Sequence, residues 1–429
     1  MAQSTMRAPA SAADGTTERQ PFAKRIRQSP IAEILAIPDF RWIWLGSFAS
    51  FTAMNMQMIT RGWLVLRLEN DSPSALTWAM VSFAAPMAIV SLLGGALSDR
   101  VPKKYLIIGS QLGNAALTFT VGMMDATDTI WLGALMALGV LNGSMFALNM
   151  PSRQAIISEI VPRERVMNAV ALNNSSMNLT RTFGPALAGI LIAFFSTALV
   201  FYLVSIVYVF SALSVVRLSA SGVYNNSPRK SVIADIKEGL HYSLGDQTLR
   251  GLIIMAFMPA MFGFTLFVLM PAWAREQLNV TSFDLGYLMA VMGIGALAGT
   301  LGLASLRKLS RRGMVLIVIS VIWGFSVVGV ALSVEFVSAI FFLVVYGLLN
   351  SLYMSLNMTL SQTYAAPEMR GRVMSLFMMT FGLMPIGAIP FGEFAEIVGT
   401  GQALSISGLV MAGLTLAFAF VYPHFRRIQ

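Results

Sequence analysis

The stretch Gly95-Ala96-Leu97-Ser98-Asp99-Arg100-Val101-Pro102-Lys103-Lys104 lies between two long apolar runs. It packs a glycine, an acid and a basic cluster between two segments long enough to cross a bilayer. That pattern describes a short loop held against a membrane face. Its cations also report which face, because Lys and Arg accumulate in short loops on the cytoplasmic side.

The rest of the chain agrees with a membrane solvent. Of 429 residues, 56% are apolar and 11% charged, against about 25% charged in a soluble domain. Mean hydropathy is +0.71. Apolar runs of about 20 residues, enough for a hydrocarbon core, recur at about 40–66, 75–97, 105–124, 130–152, 166–195, 198–217, 250–270, 283–306, 313–332, 336–362, 373–397 and 402–422. Backbone N–H and C=O groups find no water in lipid, so each span is expected to be helical.

Sorting the cations gives an orientation. With the N-terminus in the cytoplasm, all but four of the 29 Lys and Arg residues fall inside. Arg61, Arg67 and Arg275 fall outside, and Arg181 lies within the fifth span. The expectation is a multi-pass protein of the cell membrane with both termini cytoplasmic. The same sorting accounts for the +9 charge without a nucleic-acid partner, since the cations are split among separate short segments. Trp42, Trp44, Trp63, Trp131 and Trp273 fall near span ends, where interfacial anchors belong.

Residues 1–39 read as a polar cytoplasmic tail, with an amphipathic turn at 31–37 and without the apolar core of a cleaved secretory signal. Ser219–Leu249 is the longest polar interior segment, and Val232, Ile236, Leu240 and Leu244 give it a short amphipathic pattern. It divides the chain into 40–218 and 250–422, leaving 423–429 as a second cytoplasmic tail. The two halves echo each other. Asn149-Met150-Pro151-Ser152-Arg153-Gln154, then Pro162 and Arg165-Val166-Met167, parallels Asn357-Met358-Thr359-Leu360-Ser361-Gln362, then Pro367 and Arg372-Val373-Met374. Each copy joins the fourth span of its half to the fifth. The expected fold is therefore all-α: twelve transmembrane helices in two pseudo-symmetric six-helix bundles, the plan by which one class of transporters alternates access to a midplane site.

Several chemistries are disfavoured. There is no cysteine, and only His241 and His424, so thiolate or histidine metal sites and Ser-His-Asp triads have no basis. No G-x-x-x-x-G-K-[ST] loop is present to hold ATP. No enzyme activity, metal or cofactor is expected.

The 95–104 stretch resembles the signature loop of the major facilitator superfamily, G-x-L-a-D-r-x-G-r-k, with Pro102 in place of the second glycine. The resemblance implies a conformational latch of Gly95, Asp99, Arg100, Lys103 and Lys104 against the start of the eleventh helix, near Arg372. Gly184-Pro185-Ala186-Leu187-Ala188-Gly189 resembles the antiporter motif G-P-x-x-G-G and implies export; a plain packing kink is the other reading, and Met384-Pro385-Ile386-Gly387 recurs at the equivalent place in the eleventh span. Pro151 through Asn173, with Gly62-Trp63-Leu64 and Leu68 through Pro73, is similar to the bacterial branch that includes enterobactin exporters and macrolide efflux proteins. The drug-antiporter pattern also places an arginine four residues before Gly143. Here that position is Gly139.

Arg181 stands out on physical grounds, because a charge within a span costs at least about 2.5–3.5 kcal/mol on insertion scales. Asn173, Asn174, Asn178 and Arg181 fall close to one helical face, which is expected to be wet or paired. A cavity wall and a structural arginine bonded to neighbouring carbonyls are both open readings. Gln57, Asn142, Asn149, Asn350, Asn357 and Gln362 would line a central cavity in the implied fold. Glu393 and Glu396 are the carboxylates expected within a span; Glu393 could carry a proton if buried, or be an interfacial acid in contact with water. Met and Phe number 29 and 28, and thioethers repack around variable ligands. The function expected is export of a drug- or siderophore-like amphipathic small molecule by alternating access, coupled to protons, by a monomer surrounded by lipid. An importer or uniporter of a small metabolite, or a membrane sensor on the same fold, remain as alternatives.

Overall fold

Where the chain leaves one apolar run it turns on residues that accept unusual backbone angles. Between the first two long helices, Asn70 (φ 48°) and Asp71 (φ 66°) take the left-handed conformation that Asn and Asp tolerate best, and Pro73 then opens the next helix. The computed structural model describes residues 30–98, 101–219, 232–306, 311–366 and 369–428. Among these residues every regular element is a helix.

The helices are α1 (Pro30–Leu35), α2 (Pro38–Leu68), α3 (Pro73–Ser98), α4 (Lys103–Ala126), α5 (Leu132–Ile160), α6 (Val166–Phe194), α7 (Thr197–Val216), α8 (Val232–Gly245), α9 (Gln247–Leu278), α10 (Ser282–Leu306), α11 (Arg312–Ala331), α12 (Phe336–Tyr364), α13 (Arg370–Val398) and α14 (Thr400–Val421). Eight of them, α4, α5, α7, α9, α10, α11, α12 and α14, are long and apolar enough to cross a membrane. α2 and α6 run 31 and 29 residues and carry Gln57 and Arg61, and Asn173, Asn174 and Arg181, which lower their hydropathy. α8 is the amphipathic pattern of the central segment. Its end and the next helix are separated by Asp246, whose side chain accepts from Leu249 N at 2.8 Å.

The seventh span, expected at 250–270, extends over Gln247–Leu278 and carries a π turn at Pro259–Gly263. A π turn leaves carbonyls without regular helical partners, and side chains from neighbouring helices take some of them. Tyr346 donates to Gly263 O at 3.1 Å and Ser407 to Phe262 O at 2.6 Å. Tyr353 donates to Met255 O one turn earlier.

Helix pairing repeats along the chain. α3 packs on α5 as α10 packs on α12, and α4 on α7 as α11 on α14. The contacts are close. A Cβ at Gly143 would overlap the carbonyl of Phe83, and one at Gly347 would overlap that of Met292. Small residues at such crossings let helix backbones approach, which is the main source of packing between helices in lipid. Two further crossings join the early helices to the late ones: α6 with α10, and α3 with α13.

Candidate translocation pathway

The polar residues of the first half are mostly spent on each other. Gln57 on α2 donates to Thr118 on α4 (3.0 Å) and accepts from Tyr208 on α7 (3.1 Å). Asn142 on α5 donates to Asn114 on α4 at 2.9 Å. Asn149 donates to Ser110 at 2.8 Å. All three asparagine and glutamine residues are buried. They were expected as cavity lining, and in this conformation they tie α2, α4, α5 and α7 together.

Arg153 closes that network. It is 1% exposed. Its Nε donates to Asn149 (2.7 Å), Nη1 to Ser47 (3.0 Å) and to Ile43 O (3.4 Å), and Nη2 to Ser211 (2.7 Å). Ser211 in turn donates to Gly46 O at 2.7 Å and accepts from Gln111. At the matching place in the second half, Ser361 donates to Asn357 (3.3 Å) and Asn357 to Leu252 O (3.3 Å). Asn350 is buried near them, while Gln362 is exposed and reaches Met374.

On α6, Asn173 is buried with its Oδ1 unpartnered, and Asn174 is exposed. The side chain of Asn178 lies outside the described residues. Arg181 is exposed yet within electrostatic reach of buried Tyr346 on α12. It therefore faces the space between early and late helices. The glycines of the antiporter-like motif lie on the same helix. Gly184 packs on Asn55 of α2, where a Cβ would stand 2.6 Å from Asn55 Cβ. Gly189 meets Gly286 at the α6–α10 crossing. In α13, Gly387 packs on the π turn at Met261 and Gly392 on Thr77 of α3.

The face bearing the 69–72 turn is closed by side chains from both parts of the chain. Arg275 pairs with Asp71 (2.7 Å) and covers the Trp63 ring at 5.0 Å. Trp78 donates to Glu393 at 2.8 Å, and Glu396 accepts from Ser72 and from Ser74 N. Glu393 is exposed. Arg67 pairs with Asp125 behind this seal.

At the opposite face, Asp99 and Arg100 lie outside the described residues, as do Arg307, Lys308 and Pro367, and Gly95 belongs to the last turns of α3. Lys103 is buried and pairs with Glu159 at 2.7 Å; Lys104 donates to Leu218 O at 2.5 Å. Arg372 pairs with Glu238 of α8 at 2.7 Å. Glu159 and Glu238 were not anticipated as partners, although each sits in a polar segment next to a basic cluster.

Arg61, which the cation sorting assigned to the outside, is buried in the protein, 3% exposed among α2, α3 and α5. Its guanidinium stands over the Phe83 ring at 5.5 Å and fills the space left by Gly139, where a Cβ would lie 3.0 Å from Nη1. The long side chain turns inward because α2 extends past residue 61 for two further turns. The signal available in the sequence was its position five residues inside the end of the expected span.

Comparison with known proteins fits this architecture. A family profile described as "Transmembrane secretion effector" matches residues 29–427. The chain is 24% identical over 390 residues to the staphyloferrin A transporter of Staphylococcus aureus, covering 89% of this chain and 96% of that one. It is 24% identical over 398 residues to the enterobactin exporter EntS of Shigella flexneri (91% and 93%), and 26% over 406 residues to the multidrug efflux pump Tap of Mycolicibacterium fortuitum (89% and 96%). Among solved structures, a bacterial homologue of the human lysosomal transporter Spinster superposes with a TM-score of 0.69 at 15% identity, covering 91% of this chain and 99% of that one.

Proposed function

The chain belongs to the transmembrane secretion effector family, a branch of the major facilitator transporters, and on that premise we propose that it exports an amphipathic small molecule across the cell membrane. In this reading α2–α7 and α9–α14 are two six-helix bundles, giving twelve spans with both termini and α8 in the cytoplasm. The bundles rock about the α6–α10 and α3–α13 crossings, where Gly189, Gly286 and Gly392 keep the contacts smooth.

The observation that carries the reading is the seal at the 69–72 face. Arg275–Asp71, Trp78–Glu393 and Ser72–Glu396 join the two parts by exposed polar contacts that part without disturbing either core. The site would then open to the cytoplasm in this state and accept cargo there. Asn173, Asn174, Asn178, Arg181, Asn350 and Gln362 supply the polar groups along the path, while Gln57, Asn142, Asn149 and Asn357 hold the helices beside it. Coupling to protons is the reading that the resemblance to antiporters favours, with Glu393 as its candidate carrier. In the opposite state the loop of Gly95, Asp99, Arg100, Lys103 and Lys104 would latch the cytoplasmic side against the start of α13, near Arg372, and Gly184, Pro185 and Gly189 form the bending segment of α6. The named cargo of the relatives makes siderophores and drugs the classes to test first.

Everted membrane vesicles, acidified inside by respiration and reporting ΔpH with a dye, test it. Macrolides, siderophores and lipophilic cations are added in turn. The expected outcome is a compound-dependent loss of ΔpH that vesicles lacking the protein do not give. A panel without any such response removes proton-coupled export of these classes. In the same vesicles Asp99→Asn is expected to slow turnover while leaving protein in the membrane; undiminished flux removes the latch.

A further inference from the structure

We propose that Arg61 is a binding residue for an anionic group, a carboxylate or sulfonate attached to an aromatic or apolar body, on the transported molecule. The proposal rests on the transport reading for what brings that group there. The first half holds two arginines buried to the same degree, and they differ in one respect. Arg153 donates from Nε, Nη1 and Nη2 to four acceptors on three helices. Arg61 is buried with Nε and Nη2 lacking any hydrogen-bond partner among the described residues. An ionised group taken out of water without partners is strongly unfavourable. A protein retains one where a ligand completes it.

The surroundings define what would complete it. No carboxylate lies near the middle of any described span: the acids of α4, α5, α9, α10 and α13, from Asp125 to Glu396, sit in the first or last turns. The protein therefore offers Arg61 no counter-ion, and the cation is left for the cargo. Guanidinium presents a fork of donors that matches a carboxylate or sulfonate. Phe83, under the guanidinium, supplies an apolar face beside it, and Gly139 on α5 lets Nη1 sit where it does, since a Cβ there would stand 3.0 Å from it.

The test uses the full chain purified in detergent, with Arg61→Met, Arg61→Lys and Arg153→Met beside the wild type. The probes form a matched series: 1-naphthoate, 1-naphthalenesulfonate, 1-naphthamide and 1-naphthylmethylammonium. Melting midpoints and tryptophan quenching read binding. The two anions are expected to raise the wild-type midpoint and the amide and ammonium to leave it unchanged. Arg61→Met is expected to weaken anion binding by about tenfold or more, and Arg61→Lys to recover part of it. Without ligand, Arg61→Met should melt no lower than the wild type, whereas Arg153→Met should melt well below it. Absence of any anion-dependent shift in the wild type overturns the proposal, as does an equal shift by the amide or the ammonium. So does a ligand-free Arg61→Met that falls with Arg153→Met, which makes Arg61 a packing residue. The binding readout needs no flux, so a failure of proton-coupled export in vesicles leaves this result standing, and a failure here leaves export standing.

Discussion

The two copies of the Asn-Met-x-x-x-Gln segment perform the same joining task with different chemistry. In α5 the segment carries Arg153, which holds Ser47, Ile43 O, Asn149 and Ser211 and so ties α2, α5 and α7 into one unit. In α12 the matching residue is Ser361, whose bond ends on Asn357 of the same helix. The second half relies instead on tyrosine hydroxyls and Ser407 reaching carbonyls in and beside the π turn of α9. A guanidinium with several partners fixes three helices in one geometry. Hydroxyl-to-carbonyl bonds around a π turn fix less, because the turn itself can shift register. The comparison predicts that the first half is the stiffer of the two and that α9 is the element that adjusts.

Replacing Arg153 by Met is the strongest way to break the comparison. It leaves Ser47, Asn149 and Ser211 without their charged donor, and should lower stability by about 3 kcal/mol or more. Thermal unfolding in detergent reads this, and a near-neutral result would remove the clamp. Gly143→Val and Gly347→Val come next. Each drives a side chain into a facing carbonyl, Phe83 O or Met292 O, and should cost about 1–3 kcal/mol. Similar losses in both are expected, because the α3–α5 and α10–α12 crossings are built alike; a large difference would sharpen the asymmetry beyond the arginine. Arg275→Ala should change stability by about 1 kcal/mol or less, as partly exposed pairs do, yet loosen the seal. The chain has no cysteine, so Ser72→Cys can be labelled directly, and its labelling rate should rise severalfold in the Arg275→Ala background. An unchanged rate would show that the Trp78–Glu393 contact holds the face alone. Ser361→Ala should cost the least, no more than about 0.6 kcal/mol, because its bond stays within α12 and even bonds between membrane helices average only that much. A loss as large as that of Arg153→Met would end the distinction between the halves.

Much of the framework was legible before any coordinates. The apolar runs recur at bilayer length, and five of the observed helices, α2, α3, α4, α9 and α13, overrun the expected spans at both ends. The amphipathic pattern Val232, Ile236, Leu240, Leu244 is α8. The π turn in α9 was hidden, because Pro259 and Gly263 also occur in ordinary helices and the turn depends on Tyr346 and Ser407 from elsewhere. Glu393 was open between a buried and an interfacial acid, and the structure leaves it exposed, in contact with Trp78 on α3.

What the sequence determined by itself is the recurrence of apolar segments of bilayer length and the clustering of cations in the short segments between them. These follow from a local quantity, the transfer of each stretch from water to lipid. What only the tertiary structure decided is the state of each polar side chain within those segments. Arg61 and Arg153 are alike in kind, each an arginine within a long, largely apolar helix. Arg153 is satisfied by Ser47, 106 residues away, and by Ser211, 58 residues away; Arg61 meets a phenyl ring and a glycine. Burial and partnership are set by helices brought together from distant parts of the chain.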